Sequence, residues 1–195
     1  MKRLALLGPI LFAVVLSTLT IIKYDFLISL GWDPIRAPTF DWPSGLALGK
    51  YGFVMTATFI ISGLLITALA LRLKADLEPA TISQTGSTLL ALSGLALAGL
   101  ASTTDPTIRM LAATTWHGRL HDLSYVLLGL TLFSSMILLG FAFQKAKSWK
   151  LFSLYTWVTV AFAVPAFIFK GPAFYIFLFA ILLWMESLAW KLNKA

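Results

Sequence analysis

The residues whose chemistry stands out occupy one short stretch, Thr114-Thr115-Trp116-His117-Gly118-Arg119-Leu120-His121-Asp122. A helix beginning near Thr115 sets His117 and His121 one turn apart on the same face, with Ser124 and Tyr125 continuing it. Two imidazoles so placed can hold one metal ion. A tetrahedral catalytic zinc also needs a third protein ligand and an open position for water, and Asp105, Asp122 or an acid of the loop 23–50 such as Asp41 would supply that ligand. The metal set is then His117, His121 and Asp105, with Arg119 stabilising an anionic group while the metal activates water. The His-Glu-x-x-His pattern of metalloproteases is absent. Haem is disfavoured, because two histidines on one face of one helix cannot take both axial positions and the chain has 2 His in all. A structural alternative stays open, in which the rings sit at headgroup level and bond loop carbonyls while Arg119 pairs with Asp122 or a lipid phosphate.

Other polar residues invite weaker readings. Thr103-Thr104-Asp105-Pro106 stops a helix and starts a turn, unless Asp105 reaches across toward the histidines. Asp33, Asp41 and Ser44, with Trp32 and Trp42, could line a polar pocket, although tryptophans at a membrane interface need no such explanation. Glu186 is the one acid inside an apolar block, and its place near Lys191 favours an ion pair. Lys170 precedes a tight turn, and Pro165 is positioned to kink the helix before it. With 0 Cys the chain has no disulfide, thiolate metal site, cysteine nucleophile or iron–sulfur cluster.

The elements that must position these residues follow from composition. Of 195 residues, 59% are hydrophobic and 12% charged, whereas an ordinary soluble domain is about one quarter charged. The apolar residues come in long blocks rather than stripes, and roughly 20 such residues are what a bilayer requires. Six blocks can be marked: Leu4–Ile22, Tyr51–Leu73, Gly86–Ser102, Leu123–Phe143, Leu151–Phe169 and Phe174–Trp190. The expected fold is therefore all-α, a polytopic membrane protein with six transmembrane helices in one bundle and one domain over 1–195. In the third block Gly94, Ala98 and Ser102 recur at four-residue spacing, which lets neighbouring backbones approach closely. Pro34, Pro38 and Pro43 predict an irregular first outer loop, without regular helix, that caps the bundle.

Lys and Arg distribute as Lys2, Arg3, Arg72, Lys74, Lys145, Lys147, Lys150, Lys191 and Lys194 at one set of ends, against Lys23, Arg36, Lys50, Arg109, Arg119 and Lys170 at the other. Cytoplasmic loops are the basic ones, so both termini are expected in the cytoplasm and the histidines outside. Lys2 and Arg3 before an apolar run imitate a signal peptide, but no small-x-small cleavage site follows, so the run is read as a retained first helix. The net charge of +7 is better matched to lipid headgroups than to nucleic acid, since no basic groove or aromatic-lined strand accompanies it. No internal repeat relates the two halves, which gives an inverted-repeat transporter no support.

The run Trp42-Pro-Ser-x-Leu-Ala-Leu-Gly-x-Tyr-Gly, then Thr104-Asp105-Pro106, then Thr115-x-His117-Gly-Arg-x-His121-Asp122, with Leu154-Tyr155 further on, resembles the prokaryotic membrane proteins grouped as domain of unknown function 998. That resemblance covers nearly the whole chain. It implies a small multi-helix protein of a bacterial or archaeal cytoplasmic membrane, with Asp105, His117, Gly118, Arg119, His121 and Asp122 as a polar signature and no established activity. One departure is the longer first outer loop, from Asp33-Pro34 through Asp41. Three functions are expected to compete. The first is an outward-facing site of Asp41, Asp105, His117, Arg119, His121 and Asp122 that binds a lipid headgroup or small amphiphile, with metal-assisted hydrolysis as one version. The second is a non-enzymatic accessory subunit contacting lipid, a protein partner or a second copy. The third is transport, using Ser17, Thr18, Thr20, Thr56, Thr58, Ser134 and Ser135; it ranks last because such side chains usually bond local carbonyls.

Overall fold

In a bilayer every backbone polar group must find an internal partner, and an apolar chain with no closed sheet meets that demand only as helix. A computed structural model of the chain describes residues 7–36, 42–103, 115–169 and 171–194, and among these there is no strand. The helices are α1 (Leu7–Ile22), α2 (Tyr24–Ser29), α3 (Trp42–Gly45), α4 (Gly52–Asp76), α5 (Thr81–Gly99), α6 (Trp116–Lys145), α7 (Lys150–Ala161), α8 (Ala163–Phe169) and α9 (Gly171–Lys194), with a 3-10 turn at Lys147–Trp149. Large apolar side chains cover the outside of the bundle, Phe53, Leu151 and Phe169 among them. A water-facing surface would not carry such a continuous apolar coat.

Among the described residues, three helical segments are long and apolar enough to cross a membrane: α4, α6 and Ala173–Lys194 of α9. This corrects the expectation of six such helices. The described part of α1 is 16 residues. Helix α5 begins at Thr81 rather than Gly86, and the added turn, with Thr81, Ser83, Gln84 and Thr85, lowers its apolarity. The block expected to run through 151–169 divides into α7 and α8 at Phe162. Pro165 explains the break, since it has no N–H for the carbonyl of Ala161 four residues earlier.

The segment between α1 and α4 also departs from expectation, because it contains two short helices. Pro43 lies in the first turn of α3, where a missing N–H costs no helical bond. Trp32 is buried against α3, and a Cβ on Gly45 would lie 1.8 Å from its ring. Helix and ring are stacked on a glycine that cannot be replaced without moving one of them.

Lipid offers no hydrophobic drive for helices to associate, so close backbone approach and interhelical hydrogen bonds must hold the bundle. Gly63 of α4 meets Gly94 and Ala98 of α5 so closely that a Cβ on Gly63 would lie 2.4 Å from the Gly94 carbonyl. The four-residue small spacing read from the sequence thus has a partner glycine. Serines then bridge the helices to carbonyls of glycines: Ser62 to Gly8 (3.1 Å), Ser135 to Gly86 (2.8 Å) and Ser153 to Gly140 (2.8 Å). Trp184 Nε1 donates to Thr156 Oγ1 at 2.9 Å, joining α9 to α7. Buried apolar residues form two clusters, one around Leu73, Leu90, Met136, Phe143 and Trp184 at the lysine-rich end, and one around Leu16, Leu27, Trp32, Met55 and Leu100 at the histidine end.

Candidate functional site

Thr115 caps α6, its hydroxyl accepting from the Gly118 N–H at 3.1 Å. The start near Thr115 expected from the sequence is therefore met, and His117 and His121 stand one turn apart. Alongside them α5 ends at Gly99 and tightens through Leu100, Ala101 and Ser102, whose N–H groups bond carbonyls three residues back. The last carbonyls of a helix have no partner within it. Here the imidazoles take that place: His121 Nδ1 lies 2.7 Å from Ser102 O and 3.1 Å from Leu100 O, and His117 Nδ1 lies 3.4 Å from Thr103 O and 3.1 Å from Thr115 Oγ1. Carbonyls only accept, so each ring meets them by donating from Nδ1, which leaves Nε2 without the proton in a neutral ring. Gly99 makes this contact possible, because a Cβ there would lie 2.4 Å from Ser124 Oγ.

His121 is buried, His117 half-buried with Trp116 edge-on at 5.4 Å, and Arg119 and Asp122 exposed. Asp105 and Asp41 lie outside the described residues. No group of three His, Asp or Glu able to hold a metal occurs among the described residues. Asp33 forms a turn, its carboxylate accepting from the N–H groups of Ile35 (3.2 Å) and Arg36 (2.8 Å).

Below His121 the bundle is hollow. A cavity of about 490 Å³ runs between α6 and α9, and its walls include Phe59, Leu97, Leu128, Phe174 and Leu178. His121, Tyr125, Ser44 and Ser134 are its polar contributions. Val126 and Leu130 line it while 52% and 63% exposed, so it opens on the apolar side of the bundle. Phe133 and Phe177 stack across it, 5.5 Å between centroids and nearly parallel at 5°, and hold α6 and α9 together.

The profile of a family described as protein of unknown function (DUF998) matches residues 6–191. The chain belongs to that family. No curated protein and no solved structure is significantly similar to it. Membership carries no assigned activity, so the site itself must supply the functional argument.

Two further residues acquire partners that sequence did not reveal. Lys23, expected on the outer side of the membrane, is buried: its ammonium donates to the carbonyls of Leu46 (2.7 Å) and Leu48 and lies 5.0 Å from the Phe26 ring. Burial pushes its pKa below the ordinary lysine value. The expected Glu186–Lys191 pair does not form. Lys191 donates to Ser148 O at 2.7 Å and covers the Trp149 ring at 4.7 Å, because five residues turn a helix about 140° and separate the two side chains. Of the hydroxyls named for transport, Thr20, Thr56 and Thr58 bond carbonyls four residues back, and Ser135 bonds Gly86.

Proposed function

We propose that this protein crosses the cytoplasmic membrane six times and binds the chain of a lipid or similar amphiphile in the α6–α9 cavity, with the headgroup against the histidine end. One observation carries the reading: an apolar cavity within the size range of ligand pockets, roughly 300–1,000 Å³, meets an imidazole whose Nδ1 is committed to carbonyls. Nε2 of a neutral ring so fixed accepts a hydrogen bond, which suits a hydroxyl or ammonium of a headgroup. The opening between Val126 and Leu130 faces where lipid would lie, so a membrane lipid can enter sideways without crossing water.

Six crossings are supported by the pairing of the helices. Contacts Gly8 to Ser62, Gly63 to Gly94, Gly86 to Ser135, Gly140 to Ser153 and Thr156 to Trp184 run antiparallel throughout. A less apolar α5 is thus carried across beside α4 and α6. The lysine-rich ends then face the cytoplasm and the histidines the outside.

The same tautomer is the one metal-bound histidines use, so a divalent ion such as zinc held by both Nε2 atoms and a further ligand such as Asp105 is the second reading. One set of preparations addresses both. After detergent exchange, native mass spectrometry of the wild type is expected to retain one lipid, and His121→Ala to hold it roughly threefold to tenfold more weakly, the loss of one hydrogen bond. A wild type that keeps no lipid sinks the proposal. Metal-free wild type after zinc-supplemented purification, compared with His117→Ala, removes the metal reading alone.

A further inference from the structure

Resting on the lipid reading above, we propose that the cavity measures chain length, and that Gly129 and the buried residues at its closed end set the longest hydrocarbon chain it takes. Part of the α6 wall, His121, Tyr125, Leu128, Gly129 and Leu132, at offsets of four, seven, eight and eleven residues, falls on one helix face. Its lower end meets Ile66, Leu132 and Met185, all buried and all part of the core cluster at the lysine-rich end. A chain hung from His121 therefore runs about 16 Å, eleven residues of helical rise, before it reaches packed side chains. That depth is close to one leaflet, roughly 15 Å of hydrocarbon.

Gly129 is the observation that points to an occupant. Glycine weakens a helix interior, and helix glycines 63, 86, 94, 99 and 140 each have a neighbour that a Cβ would strike. At Gly129 a Cβ would meet nothing within 4 Å. The glycine is not there to let another helix in, and the space beside it belongs to the cavity. A hydrocarbon chain lying along α6 would fill it.

At roughly 1.2 Å per bond of an extended chain, the depth of about 16 Å takes on the order of thirteen carbons. The test uses saturated single-chain lysophosphatidylcholines from octanoyl to octadecanoyl, titrated against the full chain in a nonionic detergent and read by native mass spectrometry. Wild-type affinity is expected to rise with chain length, at most about fourfold per methylene, and to level off near tetradecanoyl. Gly129→Leu is expected to level off several carbons earlier while melting at the wild-type temperature, and Met185→Ala several carbons later. Affinity that rises unbroken to octadecanoyl, or a plateau unmoved by Gly129→Leu, overturns the ruler and leaves lipid binding standing. A wild type that binds no member of the series defeats the lipid reading itself.

Discussion

An amine at 5% exposure with two backbone carbonyls as partners does structural work at Lys23. Replacing it with methionine leaves the Leu46 and Leu48 carbonyls short of a donor, which costs about 1–3 kcal/mol when acceptors are buried. Lys23→Met is expected to melt earlier than wild type by that amount, and an unchanged melting temperature would show that the capping segment does not depend on the amine. The pH dependence has a definite sign. Burial lowers the folded-state pKa below 10.5, so between that lowered value and 10.5 the unfolded chain binds more protons than the folded one. Wild-type stability relative to Lys23→Met therefore rises with pH across that window. Sequence could not show this, because a lysine at the end of an apolar run looks the same whether it reaches for phosphate or folds back onto carbonyls. The histidines were more legible. Their one-turn spacing and the Thr115 cap are local properties, readable from residue order, and the bonding of both rings to loop carbonyls is the structural alternative raised at the start. What the order of residues hid was which carbonyls they meet, since Leu100 and Ser102 reach His121 only through the crossing at Gly99 and Ser124.

Helices pair in this chain through contacts that ordinary apolarity does not reveal. The small-residue spacing of the third block announced a close crossing and the structure supplies Gly63 as its partner, but the bridging serines read only as generic membrane serines until their glycine carbonyls were in view. The two kinds of contact differ in strength. A bulky side chain at Gly63 would have to displace the α5 backbone, and overpacking of this sort costs about 1–3 kcal/mol or more, whereas a single interhelical hydrogen bond in a membrane protein averages roughly 0.6 kcal/mol. Thermal unfolding in detergent is therefore expected to rank Gly63→Leu well below Ser135→Ala, with Ser135→Ala near wild type. The reverse order would mean that the hydroxyl ladder, not the glycine crossing, holds α4 and α5 against α6. The break at Phe162 follows the same local logic: Pro165 was legible as a disturbance, and its missing donor acts on Ala161, four residues earlier, where the helix stops.

At the scale of the whole molecule, length and apolarity single out three helices among the described residues, while the proposed six crossings rest on the antiparallel pairings. Helix α5 decides between these views. From the turn joining α4 and α5, Gly63 and Gly94 lie thirteen residues away in either direction, about 20 Å along each helix. An α5 left in water would strip α4 of that contact in mid-membrane, and it would also strand Ser135 from its Gly86 carbonyl. The polar first turn of α5 can instead sit at the headgroup level, where Lys74 donates to Thr88 and the Gln84 amide bonds Lys74 O. Reporter fusions at both termini, in the turn after Asp76 and in the turn at Lys147–Trp149 are expected to read cytoplasmic, and fusions between α1 and α4 or beside Thr103 to read outside. If the turn after Asp76 and the segment beside Thr103 report the same side, α5 does not cross, and the histidine end loses its place beside the outer mouth of the cavity.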